Sequence, residues 1–331
     1  MSSPFHRPRS RPNADRRTEI LLGAAAVGVL AFIALMTVTV FINAWPSFSH
    51  NSFYKWFLPG GDVDTQLHAI ITESRPGHSV YFLRAWPLLW ATILTTALAV
   101  LIGMVFSILA AVFIVEFAPR PLRRILDPVV RLLAGVPSVV YGLIGILAIA
   151  PWVEHNFISE QRKTSVAYVV QLTGANLSVA VLILTVMITP IMVAIIVNAL
   201  AAVPRSWTEG STALGVNRWR TTWRVSLRTA RPAIIAAGVL AVGRALGEAI
   251  MLALVSGGRA FAPNLLDGTT VLFEPARPLA ATILHYYENL SNPAMAATLY
   301  AMAAVLLVST AMLSFAGWAA KQPLKRYGIR T

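Results

Sequence analysis

The sequence predicts an all-α polytopic membrane protein with six transmembrane helices, and three observations carry that prediction. Hydrophobic residues make up 56% of the 331 and charged residues only 12%, roughly half the charge of an ordinary soluble domain. Several apolar runs reach the ~20 residues that a helix needs to cross the hydrocarbon core. Lys and Arg are concentrated in alternate connections between those runs, as the positive-inside rule requires of a polytopic protein.

The elements follow in order. Residues 1–19 are rich in Pro, Ser and Arg, which predicts a disordered basic tail. The first span, 20–44, is too long for a signal-peptide core and lacks a small-residue cleavage site, so it reads as retained. A long outer loop, 45–87, carries turn signals at Pro59-Gly60-Gly61 and Pro76-Gly77. Spans two to four are expected at 88–117, 129–151 and 177–200. A basic loop, 201–231, precedes span five at 232–256. Span six is expected at 294–318, and 319–331 is a second basic tail. The outer segments between spans are too short for separate domains but long enough to form a docking surface.

Orientation follows from the basic residues. Arg7, Arg9, Arg11, Arg16 and Arg17 lie in the first tail, and Arg120, Arg123, Arg124 and Arg131 lie around the second-to-third connection. Arg205, Arg218, Arg220, Arg224, Arg228 and Arg231 lie in the 201–231 loop, and Lys321, Lys325, Arg326 and Arg330 in the last tail. The opposite side has Lys55, Arg75, Arg84, Arg162, Lys163, Arg259 and Arg277. Both termini are therefore expected in the cytoplasm. This asymmetry accounts for most of the net charge of +13, so nucleic-acid binding is not needed to explain it. The chain has no cysteine, which excludes disulfides, thiolate metal sites and c-type haem attachment.

Two spans carry more than apolar surface. In span three, Pro137 removes a backbone donor and can break the helix. Such a break in lipid requires internal partners or a polar cavity. Ser138 and Gly142 have the spacing of close helix packing. Ordinary bundle packing and a path lined by Ser138 and Tyr141 both fit this segment. In span five, Gly243-Arg244-Ala245-Leu246-Gly247-Glu248 puts two ionisable groups at membrane depth, where they are costly. On a continuous helix Arg244 and Glu248 share a face. They read either as a self-neutralised structural pair or as a charged element of a polar pathway.

The 201–231 loop reads as two short helices around Gly215, which suits a C-terminal cap. Trp219, Trp223 and Leu227 form one stripe of the second helix, and Arg220, Arg224 and Arg228 the next. Periodicity alone fits a basic helix resting on anionic lipid and a rigid elbow inserting into a cytoplasmic partner equally well.

Glu209-Gly210-Ser211, Leu214-Gly215 and Val225-Ser226-Leu227 resemble the EAA loop of ABC importer permeases, which favours the elbow. Glu209, Leu214, Gly215 and Leu227 match that pattern. Gly210 and Ser211 replace its alanines, Val225 replaces isoleucine, and Arg228 stands where proline is usual. The Gly243–Glu248 segment resembles the signature of phosphate-importer permeases. Leu133-Ala134-Gly135-Val136-Pro137-Ser138-Val139-Val140-Tyr141-Gly142-Leu143 is similar to a segment of the PstC-type family, and Glu116-Phe117-Ala118-Pro119 fits that family's second span. The resemblance runs from about Leu88 to the C-terminus.

The resemblance implies a type I importer permease fold in a bacterial cytoplasmic membrane. It implies a PstA-like permease partner, two ATPase subunits and a phosphate-binding protein. Inorganic phosphate would pass through the membrane along Arg244, Glu248, Ser138 and Tyr141. The residues Glu209, Gly210, Ser211, Leu214, Gly215 and Leu227 would form the ATPase coupling loop. The chain contains no Gly-x-x-x-x-Gly-Lys-Ser/Thr segment, so ATP and Mg are expected on the partner subunits, with no catalytic residue and no metal here. A permease for another oxyanion, a PstA-type subunit and a secondary transporter are the alternatives. An integral membrane enzyme is disfavoured because His6, His50, His68, His78, His155 and His285 are scattered.

Overall fold

The computed structural model describes residues 12–74 and 79–322. Among them there is no β-strand, and six helices are long and apolar enough to cross a membrane. The expected disorder of residues 1–11, the Pro76-Gly77 turn and the last residues of the second tail lie outside the described residues. Helix α1 spans Pro12–Asn51. The helical start at Pro12 therefore shortens the predicted tail, and the helix also runs past Trp45 into the expected outer loop. The short α2 (Phe53–Trp56) and α3 (Val63–Glu73) follow.

Helix α4 (Trp86–Val112) ends in a π-helical turn, Phe113–Phe117. Helix α5, Arg120–Ala134, is separate from α6, Ser138–Ile144. A π turn joins α6 to α7 (Ala150–Phe157), and a short α8 (Glu160–Val166) follows. The expected span at 129–151 is therefore corrected: its first residues belong to α5, and the spanning helix is Ser138–Phe157. Pro137 lacks the amide hydrogen needed to continue the helix through this point.

Helix α9, Leu177–Ala201, is the axis of the bundle. Of its most apolar window 67% is buried, against 0% for α1, which runs along the outside against the last helix. Its core partners include Ala99 and Ala111 of α4, Tyr141 of α6 and Met251 and Val255 beyond the break in span five. Four threonine hydroxyls inside the apolar spans are satisfied locally, whereas the buried Thr96 hydroxyl of α4 has no partner among the described residues. Thr92, Thr95, Thr185 and Thr189 each donate to the carbonyl four residues earlier, at 2.6–2.7 Å, so they enter lipid without an orphaned donor.

Helix α10 (Arg205–Ala213) is followed by α11 (Arg218–Thr221), a π turn (Thr222–Ser226) and α12 (Leu227–Leu246). These last three form one continuous helix, Arg218–Leu246. The expected separation of a second short loop helix from a span starting at 232 is thus corrected. Arg228, where the importer pattern carries proline, leaves the helix uninterrupted. Pro232 lies one turn further on, and the Arg228 carbonyl that it leaves without a helical donor belongs to an exposed residue. The same span ends earlier than expected, at Leu246, and resumes as α13, Ile250–Val255.

Helices α14 (Leu279–Tyr286) and α15 (Pro293–Lys321) complete the chain. With six spans, residues 12 and 322 lie on one face of the bundle. The other face is a cap in which α2 and α3 pack on α14 and the start of α15. Arg277, whose side chain is 2% exposed, pairs with Asp64 of α3 and donates to the Gly258 carbonyl at 2.6 Å. Removing one member of such a buried pair costs about 3–5 kcal/mol. Asn292 accepts from the Ala294 and Met295 amides and donates to the Ile70 and Ile71 carbonyls. It therefore caps α15 and holds α3 against it.

Candidate functional site

Span five breaks after Leu246 and span three begins at the Pro137 break, and the helices that follow the two breaks, α13 and α6, pack against each other. Tyr141 is buried in the first turn of α6, and its hydroxyl donates to the Leu133 carbonyl at 3.1 Å. Leu133 is near the C-terminus of α5, and its carbonyl also accepts from the Val136 amide at 3.3 Å. The side chain therefore bridges the Pro137 break. Ser138, the first residue of α6, is half-buried.

The second break follows Arg244. Helix α12 ends at Leu246, and Gly247 and Glu248 lie outside any helix. Glu248 is 9% exposed, and its Oε1 accepts from the Met251 amide at 3.2 Å. It thus caps the N-terminus of α13, where a negative charge is favoured. The expected helical face shared by Arg244 and Glu248 is absent, because the helix stops between them. No ion pair joins the two residues. Arg244 is exposed on this chain and lines a cavity of about 680 Å³ with Gly243, Thr310 and Ser314. It also lies within electrostatic range of Tyr141.

Glycines bring these two helices together. A Cβ at Gly142 would stand 2.8 Å from Leu254 Cδ1 and 3.1 Å from Met251 Cα, and one at Gly145 would stand 2.6 Å from Val255 Cγ1. Only a residue without a side chain permits this approach of α6 to α13. Gly142 was legible from its spacing to Ser138. Gly145 ends the same small-residue segment, three residues beyond Gly142 and off that four-residue spacing, so its contact with Val255 was not legible from the pattern.

The 201–231 segment forms the expected elbow on the face that bears the termini. Glu209, Gly210, Leu214 and Gly215 are exposed, Ser211 is half-buried and Leu227 is buried. Gly215 has φ 78°, and a Cβ there would meet nothing within 4 Å, so its role is conformational. Ser211 and Thr221 hydroxyls meet at 2.9 Å and hold α10 against α11. Trp219 and Trp223 pack edge to face at 5.6 Å, and Trp219 also meets Phe117 at the end of span two. The aromatic stripe thus has a protein partner at one end, while both indoles remain about half exposed.

Among the described residues there is no group of three His, Asp or Glu side chains arranged to hold a metal. What the geometry supplies is an arginine next to the break of span five, without a carboxylate partner among the described residues, and an exposed elbow continuous with the helix that carries it.

Known proteins agree with this architecture. A family model for binding-protein-dependent transport system inner membrane components matches residues 103–321. The chain is 33% identical over 247 residues to a probable phosphate transport system permease protein PstC of Methanocaldococcus jannaschii, covering 73% of this chain and 76% of that protein. It is 31% identical over 256 residues to a probable ABC transporter permease protein, YqgH, of Bacillus subtilis, covering 77% and 76%. It is 27% identical over 301 residues to a phosphate transport system permease protein PstC of Mesorhizobium japonicum, covering 88% and 84%. The fold is similar to a chain of a bacterial alginate ABC transporter, with a TM-score of 0.58 and 14% identity over 95% of this chain and 98% of that one. A chain of the MetNI methionine ABC transporter, in an inward-facing conformation, matches at a TM-score of 0.50 with 19% identity, covering 70% and 91%.

Proposed function

This chain belongs to the family of binding-protein-dependent transport system inner membrane components, and we propose that it is the permease subunit of an ATP-driven importer that passes inorganic phosphate. It is a multi-pass membrane subunit and not itself an ATPase. We assign it a PstA-like permease partner, two ATPase subunits that carry ATP and Mg, and a phosphate-binding protein on the opposite side. Both termini and the elbow face the cytoplasm. Cysteines introduced singly at Ser211 and Ser74 of this cysteine-free chain test that orientation. Labelling of Ser211→Cys alone by an impermeant reagent in intact cells would reverse it.

The observation that carries the reading is Arg244 at the break of span five, exposed and without a carboxylate partner among the described residues. A guanidinium stays charged and presents a fork that matches two phosphate oxygens. Glu248 serves the site by ordering α13 through its cap, leaving the arginine charge unneutralised. Ser138 stands at the matching break of span three. Tyr141 acts by holding that break. The phosphate transport permeases among the relatives support phosphate as the ion.

In the cycle this implies, ATP binding closes the ATPase dimer against α10. The elbow passes that motion along the uninterrupted helix to Arg244, and the two breaks part toward the binding protein. Hydrolysis returns the inward-facing state. The test is phosphate uptake by the chain reconstituted with the assigned partners in vesicles, with sulfate as competitor. Phosphate uptake that requires ATP and the binding protein, and resists excess sulfate, is the expected result. Transport of sulfate in preference to phosphate would overturn the assignment.

A further inference from the structure

Glu116 closes span two with two separate polar contacts, both to the helix that leaves the elbow. Its Oε1 accepts from Ser226 Oγ at 3.1 Å. Its backbone carbonyl accepts from the Arg218 guanidinium. That carbonyl is one of the orphaned acceptors at a helix C-terminus, and a guanidinium is the favoured partner there. Ser226 is 1% exposed, so without Glu116 its hydroxyl loses this partner in a buried setting. Arg218 also lies over the Phe117 ring at 5.3 Å, and Trp219 meets the same ring at 6.0 Å.

The contacts join two irregular segments. Glu116 lies in the π turn Phe113–Phe117, and Ser226 ends the π turn Thr222–Ser226. Such turns are frequent at functional sites. On the elbow side, Ser211 and Thr221 hold α10 to α11. A continuous set of side-chain contacts therefore runs from exposed α10 through α11 to the end of α4.

We propose that Glu116 is a positioning residue for energy coupling, clamping the end of span two to the root of the span-five helix so that both spans follow the elbow as one body. This rests on the importer reading above. A merely structural role would change how much complex assembles and leave its coupling ratio intact.

The test uses the full complex in vesicles and reads phosphate moved per ATP hydrolysed, normalised to assembled complex. Glu116→Ala should lower that ratio about fivefold, the scale of one hydrogen bond. Ser226→Ala should lower it similarly, and the double variant should be no worse than either single one, because both remove the same contact. Glu116→Gln keeps an acceptor oxygen for Ser226 and should restore most of the ratio. A second readout does not depend on the solute: spin labels at Ala118→Cys and Arg220→Cys should give one narrow distance distribution with Glu116 or Gln and a broad one with Ala. An unchanged ratio, or an unchanged distribution, for Glu116→Ala would overturn the clamp. If the unmodified chain moves no phosphate, the importer reading fails, while the label distances still decide the clamp.

Discussion

The Tyr141 hydroxyl donates to the Leu133 carbonyl across the Pro137 break. Two helices that proline separates are thereby held end to end by one side chain. Tyr141→Phe keeps the ring in the core and removes only the hydroxyl, while the Leu133 carbonyl keeps the Val136 amide as donor. We expect a stability loss of about 0.5–1.5 kcal/mol, the net contribution of one hydrogen bond, seen as a lower thermal midpoint of the purified complex. Uptake per assembled complex should stay near the unmodified level. Loss of uptake without loss of stability would make Tyr141 a direct contact of the transported ion.

The approach of α6 to α13 gives a second prediction. At Gly142 an added methyl meets backbone at Met251 Cα, 3.1 Å away, and backbone cannot rotate aside as a side-chain end can. Gly142→Val should destabilise by about 1–3 kcal/mol and abolish uptake, because α6 and α13 are forced apart. Gly28→Ala in α1, outside the elbow and the two breaks, is the control, since nothing lies within 4 Å of that position. It should assemble and transport normally. Equal tolerance of both substitutions would remove close packing as the reason for the glycine.

The spans were legible because lipid imposes a long apolar run on each of them, and Pro137 announced its own break. The break in span five was not. Arg244 and Glu248 have ideal helical spacing, and nothing in their identities says that Glu248 will cap a new helix instead. The continuity of Arg218–Leu246 was hidden by a loop-like composition rich in arginine and threonine. The Asp64–Arg277 pair joins residues 213 apart, a separation at which no local pattern signals contact. Local chemistry thus displayed the elements, while their junctions depended on tertiary partners.

The cap on the face opposite the termini carries a pH-sensitive group. Glu274 is buried, and burial pushes its carboxyl above the ordinary glutamate value; the Asn264 amide opposes this and Asp267 adds to it. Between the ordinary value, about 4.3, and the raised one, the folded protein binds more protons than the unfolded chain. Stability from this group therefore falls as pH rises through that window. His285 acts with the opposite sign, since burial and then Arg277 lower its value. Glu274→Gln isolates the glutamate. The variant should be more stable than the unmodified protein at neutral pH, and the difference should shrink on acidification. A difference in thermal midpoint that is independent of pH would refute this.

The last prediction concerns Arg244 and Glu248, which the helix break separates into different tasks. Were they a neutralising pair, removing one would strand a charge and removing both would relieve it. Glu248 instead accepts from the Met251 amide, a bond that glutamine can also accept. Glu248→Gln should therefore assemble and retain substantial uptake. Arg244 lines a cavity without a carboxylate partner among the described residues, so Arg244→Gln should leave stability nearly unchanged. Its uptake should fall by about tenfold to a hundredfold, the scale of a lost hydrogen bond to a charged group. Arg244→Lys should be impaired as well, because a point charge does not reproduce the two-pronged fork. The double glutamine variant should assemble and stay as inactive as Arg244→Gln. The measurement is phosphate uptake per assembled complex, with subunit content determined separately. Recovery of uptake in the double variant would restore the neutralising pair and remove Arg244 from the path of the ion.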